Sequence, residues 1–180
     1  MVIPMKINKQ NTKTTKKKSS TSKKVGDSLE KRIQFKCEQL YEQGISCINK
    51  VPTEFTILRN GARIVSAFPV KASKFVDFTG YIKGVGHVDI EAKSCANKTS
   101  FPLSNILDTE YEYLSFMLHR MNNPYEYYII EMREYKEIYL IKAIDVETFK
   151  NTETRKSLPY QWIKDNGILL EDLNFIDYIK

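Results

Sequence analysis

The chain has 180 residues, carries 28 Lys and Arg against 22 Asp and Glu, and is 42% hydrophobic and 28% charged. That length suits one domain with a sizeable core, and the composition is that of a soluble fold. No apolar run approaches the roughly 20 residues that span a bilayer, and the N-terminus lacks an apolar signal core, so a cytoplasmic protein without membrane contact is expected.

Charge is unevenly placed. Residues 1–24 hold eight lysines and no acid; since the whole chain is +6, residues 25–180 carry −2. This N-terminal segment is rich in Ser, Thr, Asn and Gln, which predicts disorder. It reads either as a cationic arm adding salt-sensitive DNA affinity through counterion release or as a solvated tail without a specific task. A single ordered domain is expected over 25–180. Asp27-Ser-Leu-Glu30 fits a capping box, and Leu29, Ile33, Cys37, Leu40 and Tyr41 fall on one face of a helix expected at about 28–44.

A strand-rich stretch follows. Thr53–Leu58 and Ala62–Val70 flank Asn60-Gly61, a strong hairpin signal. Phe75–Lys83 and His87–Lys93 form a second pair, and Ser94–Asn105, with Pro102 inside it, reads as a loop. Thr109-Glu-Tyr-Glu112 fits a second capping box for a helix running to about Met121, which Asn122-Asn-Pro124 stops. Tyr127–Met132 and Glu137–Ile144 are two further strands, the second expected to be central. The remaining C-terminal part looks less regular. The order predicts an α/β protein with a mixed sheet flanked by helices. Cys37, Cys47 and Cys95 are widely spaced, odd in number and without a CxxC pair, which points to reduced thiols and away from zinc.

The chemistry concentrates in Asp77-Phe-Thr-Gly-Tyr-Ile-Lys83-Gly-Val-Gly-His-Val-Asp-Ile-Glu91-Ala-Lys93. Strand alternation puts Val88, Ile90 and Ala92 on one face and His87, Asp89, Glu91 and Lys93 on the other. Asp77 on the partner strand reaches the same place. Two carboxylates suit Mg²⁺ or Mn²⁺, which polarises a phosphate and acidifies water, and a nearby lysine offsets transition-state charge. An exposed cross-strand salt bridge is the usual explanation of a lone Glu-x-Lys, and Asp77 one hairpin upstream adds only modestly to the nuclease reading, so the spacing by itself does not decide for it. His87 is expected at the turn and exposed, not a general base. Asp89 is expected behind the site or at the surface, and Tyr111, Tyr113, Tyr125, Tyr127 and Tyr128 in packing.

The wider run is more specific. Val76-Asp-Phe-Thr-Gly-Tyr-Ile-Lys-Gly84, Val88-Asp-Ile-Glu-Ala-Lys93 and Asn97-Lys-Thr-Ser-Phe-Pro-Leu-Ser-Asn105 resemble the RecU family. These are Holliday junction resolvases with a PD-(D/E)XK, restriction-endonuclease-like fold. Lys50-Val-Pro-Thr53, Gly26-x-x-Leu-Glu30, Arg155-Lys-Ser and Ile176-Asp-Tyr-Ile179 extend the likeness over about 25–180. The resemblance implies that Asp77 and Glu91 bind the metal and that Lys93 stabilises the transition state. It also implies a metal-linked position at Glu110, where the family has Gln and where an acid at the start of a helix would also complement the dipole. At Phe75 the family commonly has Thr, so only the backbone there could contribute. One extra residue between Asp77 and Glu91 is expected in the Gly84-Val-Gly86 turn.

The resemblance further implies a homodimer, with a projecting stalk at about 57–74 that enters a four-way DNA junction. Arg59, Arg63, Phe68, Lys71 and Lys74 would touch DNA there, the alternative being an ordinary solvated hairpin. Lys98 and Ser100, which follow the catalytic strand, would approach the scissile strand or lie in an ordinary loop. Glu30 would be accessory or serve only its capping role. The implied activity is paired symmetric nicking that leaves 5′ phosphates, with a recombinase or branch-migration protein as a further partner. The alternatives are another PD-(D/E)XK endonuclease of restriction or repair type, and a non-catalytic DNA-binding regulator of recombination.

Overall fold

The computed structural model describes residues 20–52, 55–69 and 75–180. Its centre is a six-stranded sheet. The strands are β1 (Ser46–Lys50), β4 (Phe78–Ile82), β5 (Gly86–Cys95), β7 (Glu126–Met132), β8 (Glu137–Lys142) and β10 (Ile168–Leu169), in the spatial order β1-β4-β5-β7-β8-β10. Only β5 and β7 run parallel; every other neighbouring pair is antiparallel. A parallel pair needs a crossover, and this one contains α2 (Asp108–His119). The connection therefore lays α2 against the polar face of β5.

Helix α1 (Ser20–Glu42) buries Leu29, Ile33, Cys37 and Leu40 against Val88, Ile90 and Ile129 on one face of the sheet. On the other face, Leu114 of α2, Val146 and Phe149 of α3 (Ala143–Thr152) and Ile163 of α4 (Tyr160–Asn166) pack on Tyr128, Ile130 and Ile141. Alternation along β5 and β7 assigns neighbouring residues to the two cores. The result is the mixed sheet flanked by helices that the element order predicts.

Several expectations need correction. α1 begins at Ser20, so Asp27 lies inside a helix and Asp27-Ser-Leu-Glu30 is not its N-terminal box. Glu30 instead pairs with Lys50 at 2.6 Å. β7, not β8, is central beside β5, and the last strand-like residues before Ile144 turn into α3. The segment read as a loop carries β6 (Ser100–Pro102), which pairs with β9 (Ser157–Pro159) in a small separate sheet.

β2 (Phe55–Asn60) and β3 (Arg63–Pro69) also form a sheet of their own. Asn60 pairs with Arg63, so the turn residues are Gly61 and Ala62. Gly61 has φ +60°, the positive value that a primed hairpin turn requires at its first central position. Ile57, Leu58, Ile64 and Val65 are exposed on this hairpin. Thr53, Lys71, Lys74 and residues 1–19 lie outside the described residues, as does the side chain of Phe68. All three cysteines are free. Burial pushes the Cys37 thiol up to about 12, which makes it unreactive. Among the described residues, no helix is long and apolar enough to cross a membrane.

Candidate active site

Asp77 directly precedes β4, and β4 pairs with β5 so that Phe78 faces Ile90. One step further along the ladder brings Asp77 beside Glu91. The Asp77 carboxylate Oδ2 accepts the Ala92 N–H at 2.9 Å, and its backbone carbonyl accepts the Val51 N–H at 2.8 Å. The residue is thus fixed from both flanking strands. The three-residue turn after Ile82 is closed by Val85 N–H to Ile82 C=O at 3.1 Å, with Gly84 at φ +79°.

Glu91 stands mid-strand on β5, between β4 and β7, and is 2% exposed. Two residues on, Lys93 shares its face. The Lys93 Nζ lies 2.6 Å from Glu91 Oε1 and 2.7 Å from Glu110 Oε2. Glu110 is the third residue of α2, not its first, and its Oε2 also accepts the Leu107 N–H at 2.9 Å. Glu110 thus supplies only the returning half of a capping box, because Leu107 at the N-cap has no side-chain acceptor, and the expected box from Thr109 to Glu112 falls inside the helix. Glu110 both closes its helix and enters the site.

Sequence spacing thus brings Asp77, Glu91 and Lys93 together, and the crossover adds Glu110. Burial, then the neighbouring Asp77 and Glu110 carboxylates, push the Glu91 carboxyl well above the usual carboxylate range, against the pull of Lys93. Burial alone would lower the Lys93 pKa, but Glu91 and Glu110 outweigh it and raise it. Lys93 therefore stays an ammonium, bridging two of the three acids. Glu91 Oε2 is buried and has no hydrogen-bond partner among the described residues.

Other expectations fall elsewhere. Glu30 sits beside Lys50, and the next residue, Val51, donates to the Asp77 carbonyl; Glu30 thus bears on the site through the end of β1. Lys98 pairs with Glu134 at 3.5 Å. Ser100 begins β6, and its carbonyl accepts the Cys95 thiol at 3.6 Å. Arg59 and Arg63 are exposed on the β2–β3 hairpin. Phe75 is 51% exposed and stacks on Tyr113, with centroids 5.1 Å apart.

His87 differs from expectation, while Asp89 takes the inner of its two expected placements. His87 is half-buried inside β5, with Nε2 3.0 Å from Asp89 Oδ2. Asp89 is fully buried because β7 covers it, in register with Glu126. The Tyr113 hydroxyl donates to Asp89 Oδ2 at 3.2 Å, and the Asn123 amide donates to Glu126 Oε1 at 2.5 Å. Burial, then Asp89, raise the Glu126 carboxyl to about 9. Glu126 opens an apolar strand, Glu126-Tyr-Tyr-Ile-Ile, and only knowledge of the β5–β7 register would have singled it out.

The chain matches the RecU family, Recombination protein U, over residues 24–180. It is similar to proteins named Holliday junction resolvase RecU. The one from Bacillus cytotoxicus is 32% identical over 164 residues, covering 87% of this chain and 80% of the relative. The one from Bacillus cereus strain AH820 is 34% identical over 166 residues, covering 88% and 81%. The one from Bacillus thuringiensis strain Al Hakam is 33% identical over the same span and shares. A mixed sheet that gathers Asp77, Glu91 and Lys93 with a helix acid, in a chain alike to these proteins over nearly its whole length, places it in the RecU family.

Proposed function

We propose that this protein is an endonuclease that resolves Holliday junctions during recombination, using a divalent cation, Mg²⁺ by preference with Mn²⁺ able to substitute. The observation that carries the chemistry is the convergence of Asp77, Glu91 and Glu110 on one buried patch with Lys93 between two of them. Junction selectivity is inferred from the names of the relatives.

By donor type the residues fit a hard cation, although among the described residues no group of three or more His, Cys, Asp or Glu is arranged around one ion, and Lys93 stands between Glu91 and Glu110. The donors are all carboxylate oxygens, they outnumber the single ammonium, and the buried Glu91 Oε2 without a partner is one available ligand atom. Asp77, Glu91 and Glu110 would hold the ion; Phe75 could add no more than its backbone. Such an ion would polarise the phosphate and lower the pKa of water. The chain's own groups do the rest. The Ala92 N–H orients the Asp77 carboxylate, and Lys93, kept protonated, donates to a phosphate oxygen as negative charge grows in the transition state. Water adds to phosphorus, the P–O3′ bond breaks, and a 5′ phosphate and a 3′ hydroxyl remain, which a ligase can rejoin.

Two copies related by a two-fold axis would present equivalent sites to two symmetry-related strands, giving paired nicks. Arg59 and Arg63, with Lys71, Lys74 and Phe68, are proposed contacts of the hairpin with junction DNA. Lys98 and Ser100 are proposed contacts with the cut strand, and a recombinase or branch-migration protein is a proposed associate.

The test compares a mobile four-way junction with linear duplex in Mg²⁺. Symmetric nicks confined to the junction are expected. Asp77→Asn, Glu91→Gln and Lys93→Ala should each abolish nicking and leave junction binding in place. Full cleavage by all three variants would overturn the site. Equal cleavage of duplex would make the protein a general endonuclease, and binding without cleavage a regulator.

A further inference from the structure

The aromatic pair beside the acidic patch supplies none of its carboxylates and not its ammonium. Phe75 stands two residues before Asp77, so their Cα atoms lie within about 7 Å of each other. Its ring lies on Tyr113 at 5.1 Å and 24°, and it is 51% exposed. An apolar ring left half in water at the edge of a charged site forgoes burial that would stabilise the fold. Its partner is firmly anchored. Tyr113 is three residues after Glu110 on α2, which places both on one side of that helix. Glu110 reaches Lys93, while the Tyr113 hydroxyl reaches Asp89. Both contacts fall on the face of β5 that carries Glu91.

We propose that Phe75 and Tyr113 form a stacking platform for a DNA base next to the scissile phosphate. The proposal rests on the nuclease reading above and adds a base contact to it. A phosphate beside Asp77 and Lys93 brings its flanking nucleotide within reach of Phe75. At a branch point that nucleotide has lost part of its normal stacking, and an aromatic face replaces it. Every base has a π face, so the contact tolerates any sequence. The platform is braced on β5 through Tyr113 and Asp89, so it positions the strand relative to Glu91. The occupant is a nucleobase and not a protein surface because the pair is contiguous with the residues that would engage the phosphate.

The experiment uses the full chain and a four-way junction whose nick sites have first been mapped in Mg²⁺. 5-Iodouracil is then placed at each nucleotide flanking the nick, and the complex is irradiated in Ca²⁺, chosen to hold the substrate uncut. A cross-link mapped to Phe75 or Tyr113 is expected. Phe75→Ala should raise the junction Kd roughly 5- to 150-fold, the equivalent of about 1–3 kcal/mol for one stacked base, whereas Phe75→Trp should stay close to wild type. Melting temperatures of both variants check folding. Symmetric nicking by the wild type, with no cross-link and an unchanged Kd for Phe75→Ala, would overturn the platform and leave the resolvase reading intact. Absence of nicking by the wild type would defeat that reading instead. No cross-link together with a weakened dimer in Phe75→Ala would assign the ring to a protein interface and overturn the proposal.

Discussion

Lys93 touches Glu91 and Glu110 at nearly equal distances, so the two acids can be separated by what each substitution spares. Glu110→Gln keeps an oxygen for the Leu107 N–H and removes one negative charge. The Mg²⁺ concentration for half-maximal cleavage should rise several-fold while the rate at saturating Mg²⁺ changes little. An unchanged Mg²⁺ titration would confine Glu110 to its helix end, where loss of the cap in Glu110→Ala should still cost about 1 kcal/mol. Glu126 gives a second test, read through pH. Its carboxyl rises from the ordinary 4.5 to about 9, through burial and then Asp89, so the folded chain binds that proton more tightly than the unfolded chain. The stability it contributes is full below about pH 4.5 and declines as pH climbs toward about 9. Glu91 shifts in the same direction, so only a difference between variants isolates Glu126. Glu126→Gln should therefore melt closer to wild type at pH 5 and above it at pH 8 to 9. Parallel curves across that range would rule the effect out.

Strand β1 shows how an element far from the chemistry bears on it. It pairs with β4, and just beyond its end the Val51 N–H holds the Asp77 carbonyl. Gly80 makes that pairing possible: a Cβ there would lie 2.0 Å from the Cys47 carbonyl oxygen and 2.5 Å from the Ile48 Cα. Both are backbone atoms and cannot step aside. Gly80→Ala should destabilise the fold by about 1–3 kcal/mol or more and reduce nicking with it; urea unfolding beside a cleavage assay reads both. The same strand is hard to read from sequence. Ser46-Cys-Ile-Asn-Lys50 alternates buried and exposed, but its polar residues hide the pattern, whereas β4 and β5 announce themselves through β-branched and aromatic residues around a glycine turn. Both capping boxes were misplaced because S/T/D-x-x-E matches occur inside helices as readily as at their starts. Asp77, Glu91 and Lys93 were legible because strand alternation fixes their face. The burial of Asp89 was not, since it depends on β7, more than 30 residues downstream.

At the scale of the whole molecule, charge and chemistry pull apart. Residues 25–180 carry −2 while the first 24 carry +8, and the site is itself acidic. A polyanion approaching this domain would gain long-range attraction chiefly from the lysine segment, with Arg59 and Arg63 on the hairpin as local help. Such a division would let the arm supply affinity without crowding the carboxylates that a cation needs. If the arm works this way, its contribution belongs to non-specific binding and to its salt dependence, not to the choice of strand. Deleting residues 1–19 leaves α1 whole from Ser20 and removes six lysines. The slope of log K against log salt should then become shallower by about 0.9 for each phosphate that the arm had neutralised, with nick positions on the junction unchanged. An unchanged slope would strip the segment of any role at the phosphates, and shifted nick positions would mean that it reads the junction instead of merely holding it.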